Sequence, residues 1–451
     1  MIVPQPRLVL CSALVLVPFA CLLGATPAVA ASAGAVIALF ALMVIVDAAR
    51  ARFAGANLQV ILPPLVRMQK DQPGEIEVAI ERESERDVEV RLGFAFPDSL
   101  GAEQESERIR LAGESKRYTV SWNFHPTERG AFQIEHAFLE FLSPLRFWAV
   151  RKSCAVRCEA RVYPNLHDDR KTVAALFLRR TETGAHNQNF SGQGREFDKL
   201  RTYQPGDSLG DIHWKTSAKR RSLVSKVFEI ERTHEVYVLI DASRLSGRDL
   251  PRASDHPNRD QSRTILERYV SAALILGRAA EQQGDRFGLI TFSDRVLSFV
   301  RARNGQAHYD AIRERLYDLQ PQTVSPDFEE LCSFVRLRLR KRALLIILTN
   351  LDDPVVAETF VRASDLISRQ HLLLVSMIRR PGVHPLFEET ERVRDAGDLY
   401  GELAGHLLWR RLRELEKVLQ RRGVRFFMPD ESGLVPGLIK QHADIRNRQL
   451  V

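Results

Sequence analysis

The sequence predicts an α/β protein held at a membrane, and three features of its residue order predict it. Residues 8–46 carry no charge and are almost wholly apolar. Residues 56–165 alternate apolar and polar side chains in short runs. From residue 234 onward, short unbroken apolar runs alternate with stripes at helical spacing. Together they predict a doubly wound α/β sheet over residues 234–451, preceded by a two-span membrane hairpin (1–50), a small antiparallel β-sandwich (56–165) and a basic, aromatic connector (166–233).

The whole-chain averages agree with a folded chain and hide the membrane segment. At 451 residues, 45% hydrophobic and 27% charged, the protein is neither largely disordered nor a many-spanning transporter. Lys plus Arg number 65 and Asp plus Glu 57, a net charge of +8 that selects no partner class by itself. Five cysteines are too few, and odd in number, for a disulfide-stapled secreted fold.

A single helix needs about 20 apolar residues to cross a bilayer. The uncharged stretch is nearly twice that and holds Gly24, Thr26 and Pro27 near its middle, which reads as two spans, residues 8–23 and 28–46, joined by a tight turn. Arg7, the apolar run and Ala28-Val29-Ala30 also imitate a signal peptide, but cleavage there would still leave residues 35–46 as an anchor. Arg7 before the first span, and Arg50 and Arg52 after the second, place both outer ends and the rest of the chain in the cytoplasm by the positive-inside bias.

In the next segment, Glu75-Ile76-Glu77-Val78-Ala79-Ile80 and Tyr118-Thr119-Val120-Ser121-Trp122 have the period of half-buried strands, bounded by turns such as Pro73-Gly74 and Arg129-Gly130. Cys154 and Cys158 read as core residues on one face of a strand. The connector is polar, rich in Arg and Lys and punctuated by glycine, yet holds too many aromatics for a flexible linker. Lys215, Lys219, Arg220, Arg221 and Lys226 form a basic cluster there. It reads as a solvated face or as a docking surface for an acidic protein patch or an anionic leaflet, and no nucleic-acid motif accompanies it. Trp214 reads as an anchor for the segment, with Arg201 or Lys215 stacked on an aromatic face. Beyond it, residues 236–240, 287–292, 344–348, 372–377 and 424–428 read as strands of a mostly parallel sheet covered on both faces.

Ligands of such sheets bind beyond the carboxyl ends of the strands. Asp241 and Ser243 follow the first strand, Thr349, Asn350 and Asp352 follow the strand at 344–348, and Thr323 lies in a loop between them. Asp241, Ser243, Thr323 and Asp352 are the candidate ligands for Mg²⁺ at a degenerate site, since an Asp and a Ser two residues apart can aim oxygen at one point. The competing reading is that Asp241 and Ser243 cap the following turn. The sequence has no Walker A segment, no H-E-x-x-H, no G-x-S-x-G and no C-x-x-C, and His213 has no evident nucleophile or orienting acid beside it.

Leu239-Ile240-Asp241-Ala242-Ser243 and the order of elements around it resemble the von Willebrand factor A domain, although Leu245 and Asn350 stand where that family has a second Ser and an Asp. A longer set of segments carries a more specific resemblance. Gly194-Arg195-Glu196-Phe197, Arg201-Thr202-Tyr203-Gln204-Pro205-Gly206-Asp207 and His213-Trp214-Lys215, with Thr127-Glu128-Arg129-Gly130 and Gly284-Asp285-Arg286, resemble the bacterial domain-of-unknown-function family number fifty-eight. That resemblance implies a bacterial inner-membrane protein with a von Willebrand factor A-like domain, working with a MoxR-type AAA+ ATPase. The expectation is thus a membrane-anchored, non-catalytic interaction protein acting in assembly or maturation of other proteins. The alternative is a metal-dependent hydrolase using Asp241 and Asp352.

Overall fold

The computed structural model describes residues 1–22, 27–54, 58–82, 88–111, 116–166, 196–204, 209–229, 235–250, 263–386 and 396–447. The chain divides into two compact units, Met1–Asn165 and Leu166–Val451.

The first unit begins with a three-residue strand, β1 (Ile2–Pro4), followed by two apolar helices, α1 (Pro6–Leu22) and α2 (Pro27–Ala54). Within α2, residues Ala30–Ala51 are long and apolar enough to cross a membrane. The first helix is shorter, 17 residues with Pro18 inside it, about 25 Å at the usual helical rise against a hydrocarbon core of about 30 Å. The second helix does not stop at residue 46. Ala48-Ala49-Arg50-Ala51-Arg52 are good helix formers, so the helix continues after the apolar run has ended.

Eight further strands follow: β2 (Leu58–Ile61), β3 (Leu65–Gln69), β4 (Gly74–Arg82), β5 (Val88–Phe94), β6 (Ser106–Leu111), β7 (Arg117–Phe124), β8 (Gly130–Leu142) and β9 (Trp148–Tyr163). They form two sheets, β2-β4-β7 and β1-β9-β8-β5-β6, with β3 also running alongside β9. Alternate residues of both sheets meet in one core, where Ile76, Ile80, Trp122 and Phe124 join Leu92, Leu139, Phe141 and Cys158. Cys154 packs against the same cluster and both cysteines are reduced. Gly101 shows why one turn needs glycine: its φ is +56°, and a Cβ there would lie 2.3 Å from the His125 carbonyl oxygen.

In the second unit, the described part of the connector is ordered rather than irregular. β10 (Glu196–Thr202) pairs antiparallel with β11 (Val224–Glu229), and the short helix α3 (Trp214–Arg220) lies between them. Leu166 and the connector belong to the same compact unit as the α/β sheet.

That sheet is built from β12 (Glu235–Asp241), β15 (Arg286–Phe292), β16 (Val296–Arg303), β17 (Leu344–Leu348), β18 (Leu372–Ser376) and β19 (Val424–Phe427). A two-residue pair, β13 (Asp249–Leu250) with β14 (Arg263–Thr264), precedes the first long helix. The sheet order is β16-β15-β12-β17-β18-β19, parallel throughout except for β16, which runs antiparallel at one edge. Counted along the chain, this is 3-2-1-4-5-6, a doubly wound order whose switch point lies between β12 and β17.

Helices cover both faces: α4 (Ile265–Gln282), α5 (Gln306–Leu316), α6 (Phe328–Arg338), α7 (Pro354–Ser368), α8 (Ala396–Arg421) and α9 (Leu434–Asn447). Period-two alternation explains the layering. In β12, Val236, Val238 and Ile240 join the core under α4 and α9, whereas Tyr237 and Leu239 join the core under α6, α7 and α8. In β17, Leu344, Ile346 and Leu348 take the first side, Leu345 and Ile347 the second. A strand apolar at every position is what burial on both faces requires.

Candidate functional site

Because β12 and β17 are parallel neighbours, the loops that follow them emerge side by side. Asp241 is the last residue of β12 and is fully buried. Its Oδ1 accepts from the Ser243 backbone N–H at 2.8 Å and its Oδ2 from the Thr349 hydroxyl at 2.6 Å. Tyr269, from α4, donates its hydroxyl to the Thr349 carbonyl at 2.9 Å, and the Ser246 hydroxyl donates to the Ser243 carbonyl at 2.7 Å. Burial pushes the Asp241 carboxyl above the usual carboxylate range, against the hydrogen bonds from Thr349 and Ser243, which pull it down. The Ser243 hydroxyl is buried without a partner among the described residues, as is the Asn350 side-chain nitrogen, while the Asn350 oxygen accepts from the Asp352 N–H at 2.8 Å.

Arginines surround these loops. Arg248 and Arg380 each approach Asp352 Oδ2 at 3.7 Å, and Arg244 lies 3.8 Å from Asp353, which caps α7 through the Val355 N–H. The Asp352 side chain is 7% exposed; burial raises its carboxyl, with Arg380, Asn350 and Arg248 acting in the opposite direction. Thr323 is exposed on the loop before α6, which is tied to the β12 loop by Gln322 N–H to the Ala242 carbonyl (2.7 Å) and Arg244 N–H to the Val324 carbonyl (3.0 Å). A groove of about 290 Å³ runs from Asp352 between α7 and α8, lined by Leu351, Ala357, Leu408, Leu412 and Leu415.

These residues do not fit a divalent cation. Asp241 already receives a neutral donor on each oxygen, and Asp352 alone faces two guanidinium groups, so its charge is met before any ion is added. Leu245 is 1% exposed and packs in the hydrophobic core, so its position supplies neither an oxygen nor room for one. No group of three or more His, Cys, Asp or Glu is poised for a metal among the described residues. The geometry of Asp241 and Ser243 is that of a turn closed by an aspartate side chain.

The connector motifs have structural duties and one exposed face. His213 is the N-cap of α3: its Nδ1 accepts from the Thr216 N–H at 3.1 Å. The buried Ser217 hydroxyl accepts from the Val224 N–H at 2.9 Å, which pins the helix to β11. Tyr203 is held by its own N–H to the Leu223 carbonyl at 2.9 Å, and Arg201 donates to the Gln204 side-chain oxygen at 2.7 Å. Trp214 corrects the expected anchor. It stands at the first position of α3 and is 65% exposed, with Leu209 at 71% and Leu223 at 46%. Lys215, Lys219, Arg220 and Arg221 are exposed on the same short segment. Arg195, Pro205, Gly206 and Asp207 lie outside the described residues.

Residues 199–381 match the family model of DUF58, a protein of unknown function. This segment is similar to DUF58, over less than half of the chain. It takes in the end of β10, His213 and Trp214, the Asp241–Thr349 pair and both arginines that face Asp352. A 42-residue stretch is 45% identical to the uncharacterized protein YeaD of Bacillus subtilis (strain 168), covering 9% of this chain; the match spans 11% of that relative's length. Among solved structures, BatB from Bacteroides thetaiotaomicron is 15% identical with a TM-score of 0.29, over 48% of this chain and 99% of that one. An aerotolerance-related membrane protein from Bacteroides fragilis NCTC 9343 is 14% identical with a TM-score of 0.28, over 47% and 98%.

The matched region contains three site residues that sequence reasoning overlooked. Tyr269 was hidden in an ordinary helical stripe, and Arg248 in a polar insertion before α4. Arg380 follows the end of β18, so extending the strand-end rule to that strand would have found it.

Proposed function

We propose that the protein is a membrane-anchored, non-catalytic binding protein, held in the bacterial inner membrane with its folded units in the cytoplasm, and that it works with a MoxR-type AAA+ ATPase in the assembly or maturation of other proteins. The observation that carries the reading is the surface of α3 and its flanks. Leu209, Trp214 and Leu223 are exposed large apolar side chains set among Lys215, Lys219, Arg220 and Arg221. Exposed apolar side chains rimmed by charge of one sign suit a protein partner that is apolar with an acidic border. An exposed tryptophan with basic neighbours is the residue type that dominates binding energy when covered.

The strand-end site supports the non-catalytic part. Thr349 spends its hydroxyl on Asp241, Asp241 has a donor on each oxygen, and His213 Nδ1 is engaged as a helix cap. The hydroxyl–carboxylate pair that Thr349 and Asp241 form is fully buried, out of reach of a substrate. Arg7 and Arg50, exposed at the outer ends of the two helices, support the cytoplasmic placement.

The test is crosslinking and co-precipitation from membranes of cells carrying the tagged protein. An AAA+ ATPase is expected with the native chain and depleted at least several-fold with Trp214→Ala plus Leu209→Ala. Failure to recover any ATPase with the native chain overturns the partnership.

A further inference from the structure

The turn between β8 and β9 lies directly against the apolar helix α2. The Phe147 ring stands edge-on to Phe40 with centroids 6.3 Å apart, Trp148 Nε1 donates to the Val44 carbonyl at 3.1 Å, and the Leu145 N–H donates to Asp47 Oδ1 at 3.1 Å. Phe40, Val44 and Asp47 all fall inside Ala30–Ala51, the segment able to cross a membrane. On the other side, β1 pairs with Trp148–Val150, and the Gln5 N–H donates to the Phe147 carbonyl at 2.9 Å, one residue before α1 begins. The turn is therefore held by α2 on one side and by the strand that leads into α1 on the other.

We propose that this turn, residues 143–148, is a third membrane contact, with Leu145 and the Phe147–Trp148 pair set at the boundary between lipid headgroups and acyl chains. The inference rests on reading α2 as a span. Its occupant is a lipid surface because the contact is continuous with the span: a turn that reaches Phe40 and Val44 enters the same zone as those residues. Leu145 is 44% exposed at the tip and Phe138, on β8, is 47% exposed, so apolar surface remains after the helix has been covered. Trp148 pairs an apolar ring with a single hydrogen-bonded N–H, the chemistry enriched where hydrocarbon gives way to water. Asp47 supplies an independent argument. It is the one acid in the span segment and is 2% exposed, and a carboxylate there is costly unless it is paired. Its donor is the backbone of the turn, so the turn accompanies the helix to that depth.

The test uses the full chain with Cys11→Ala, Cys21→Ala and Cys154→Ala, leaving the buried Cys158 and Cys332, and one added cysteine carrying an environment-sensitive fluorophore. The sites are Leu145→Cys, Leu39→Cys in mid-helix and Arg108→Cys on the exposed side of β6. Reconstituted in vesicles of phosphatidylcholine and phosphatidylglycerol, probes at 145 and 39 should be quenched several-fold more by acyl-brominated lipid than the probe at 108, which aqueous iodide should quench instead. Bromolipid quenching at 39 with iodide quenching at 145 overturns the third contact while leaving the span intact. Iodide quenching at 39 overturns the span itself, and the third contact with it.

Discussion

The Thr349 hydroxyl donates to Asp241 Oδ2 at 2.6 Å, joining the carboxyl ends of two neighbouring parallel strands. Both residues are fully buried, so neither can exchange the bond for water. Thr349→Val keeps the shape and removes the donor, leaving the buried carboxyl with one partner fewer. The expected cost is about 1–3 kcal/mol of stability, the usual penalty for orphaning a buried polar group. Urea denaturation of the full chain in detergent measures it, and a loss under about 0.5 kcal/mol would contradict a structural role for the pair.

Asp241 also predicts a pH dependence. Its carboxyl is raised in the folded state relative to the ordinary value near 3.9, chiefly by burial. The fold therefore favours the protonated form. The stabilisation is fully present below about pH 4 and is lost as pH rises through the folded value. Asp241→Asn removes this titration and keeps an oxygen for the Ser243 N–H. The stability of Asp241→Asn relative to the native chain should rise between pH 4 and pH 8, followed by thermal melts across that range. Parallel profiles would show that the raised carboxyl has no energetic consequence.

Gly405 offers a test of how α8 positions the rim. A Cβ at Gly405 would lie 1.8 Å from the Gly382 carbonyl oxygen, in the segment that also carries Arg380. Leu386 is tied to the same helix by its N–H to His406 Nδ1 at 3.0 Å, so the segment has little room to give way. Gly405→Ala should cost about 1–3 kcal/mol by overpacking. Gly401, one turn earlier with nothing within 4 Å, is the control: its change to Ala should stabilise by up to about 1 kcal/mol through helix propensity. Equal melting temperatures for the two variants would exclude the close approach.

The cap of α3 gives a paired substitution. His213→Ala removes the acceptor for the Thr216 N–H, whereas His213→Asp restores one in the preferred residue type. The alanine variant should lose about 0.5–2 kcal/mol and the aspartate variant should recover most of it. Hydrogen exchange at residues 216–220 is the readout, and indistinguishable exchange in the two variants would rule out the capping role.

Much of the α/β sheet was legible because its strands are buried on both faces and so appear as unbroken apolar runs. The expected segment 236–240 falls within the observed Glu235–Asp241, and 344–348 coincides with β17. The same logic placed Asp241 and Thr349 at strand ends. Arg380 escaped because its approach to Asp352 depends on how the segment after β18 folds back, which no local spacing encodes. The uncharged run ends at residue 46, whereas α2 continues to Ala54, because helix propensity does not stop where hydropathy does. The connector looked irregular because β10 and β11 pair across an intervening helix, and Trp214 looked like an anchor because size alone does not tell whether a ring is covered.

The strand β1 precedes both apolar helices in the chain, yet among the described residues it pairs with β9, whose residues come more than a hundred positions later. During synthesis, the first few residues therefore have no mate until the whole antiparallel unit has left the ribosome. Completion of the first sheet therefore waits on a strand made long after it, and α1 and α2 have both been synthesised before β1 closes against Trp148–Val150. Whatever keeps α1 and α2 from folding so that β1 reaches Trp148–Val150 leaves that part of β9 without its neighbour, so the sheet edge reports on the helices that the chain makes in between.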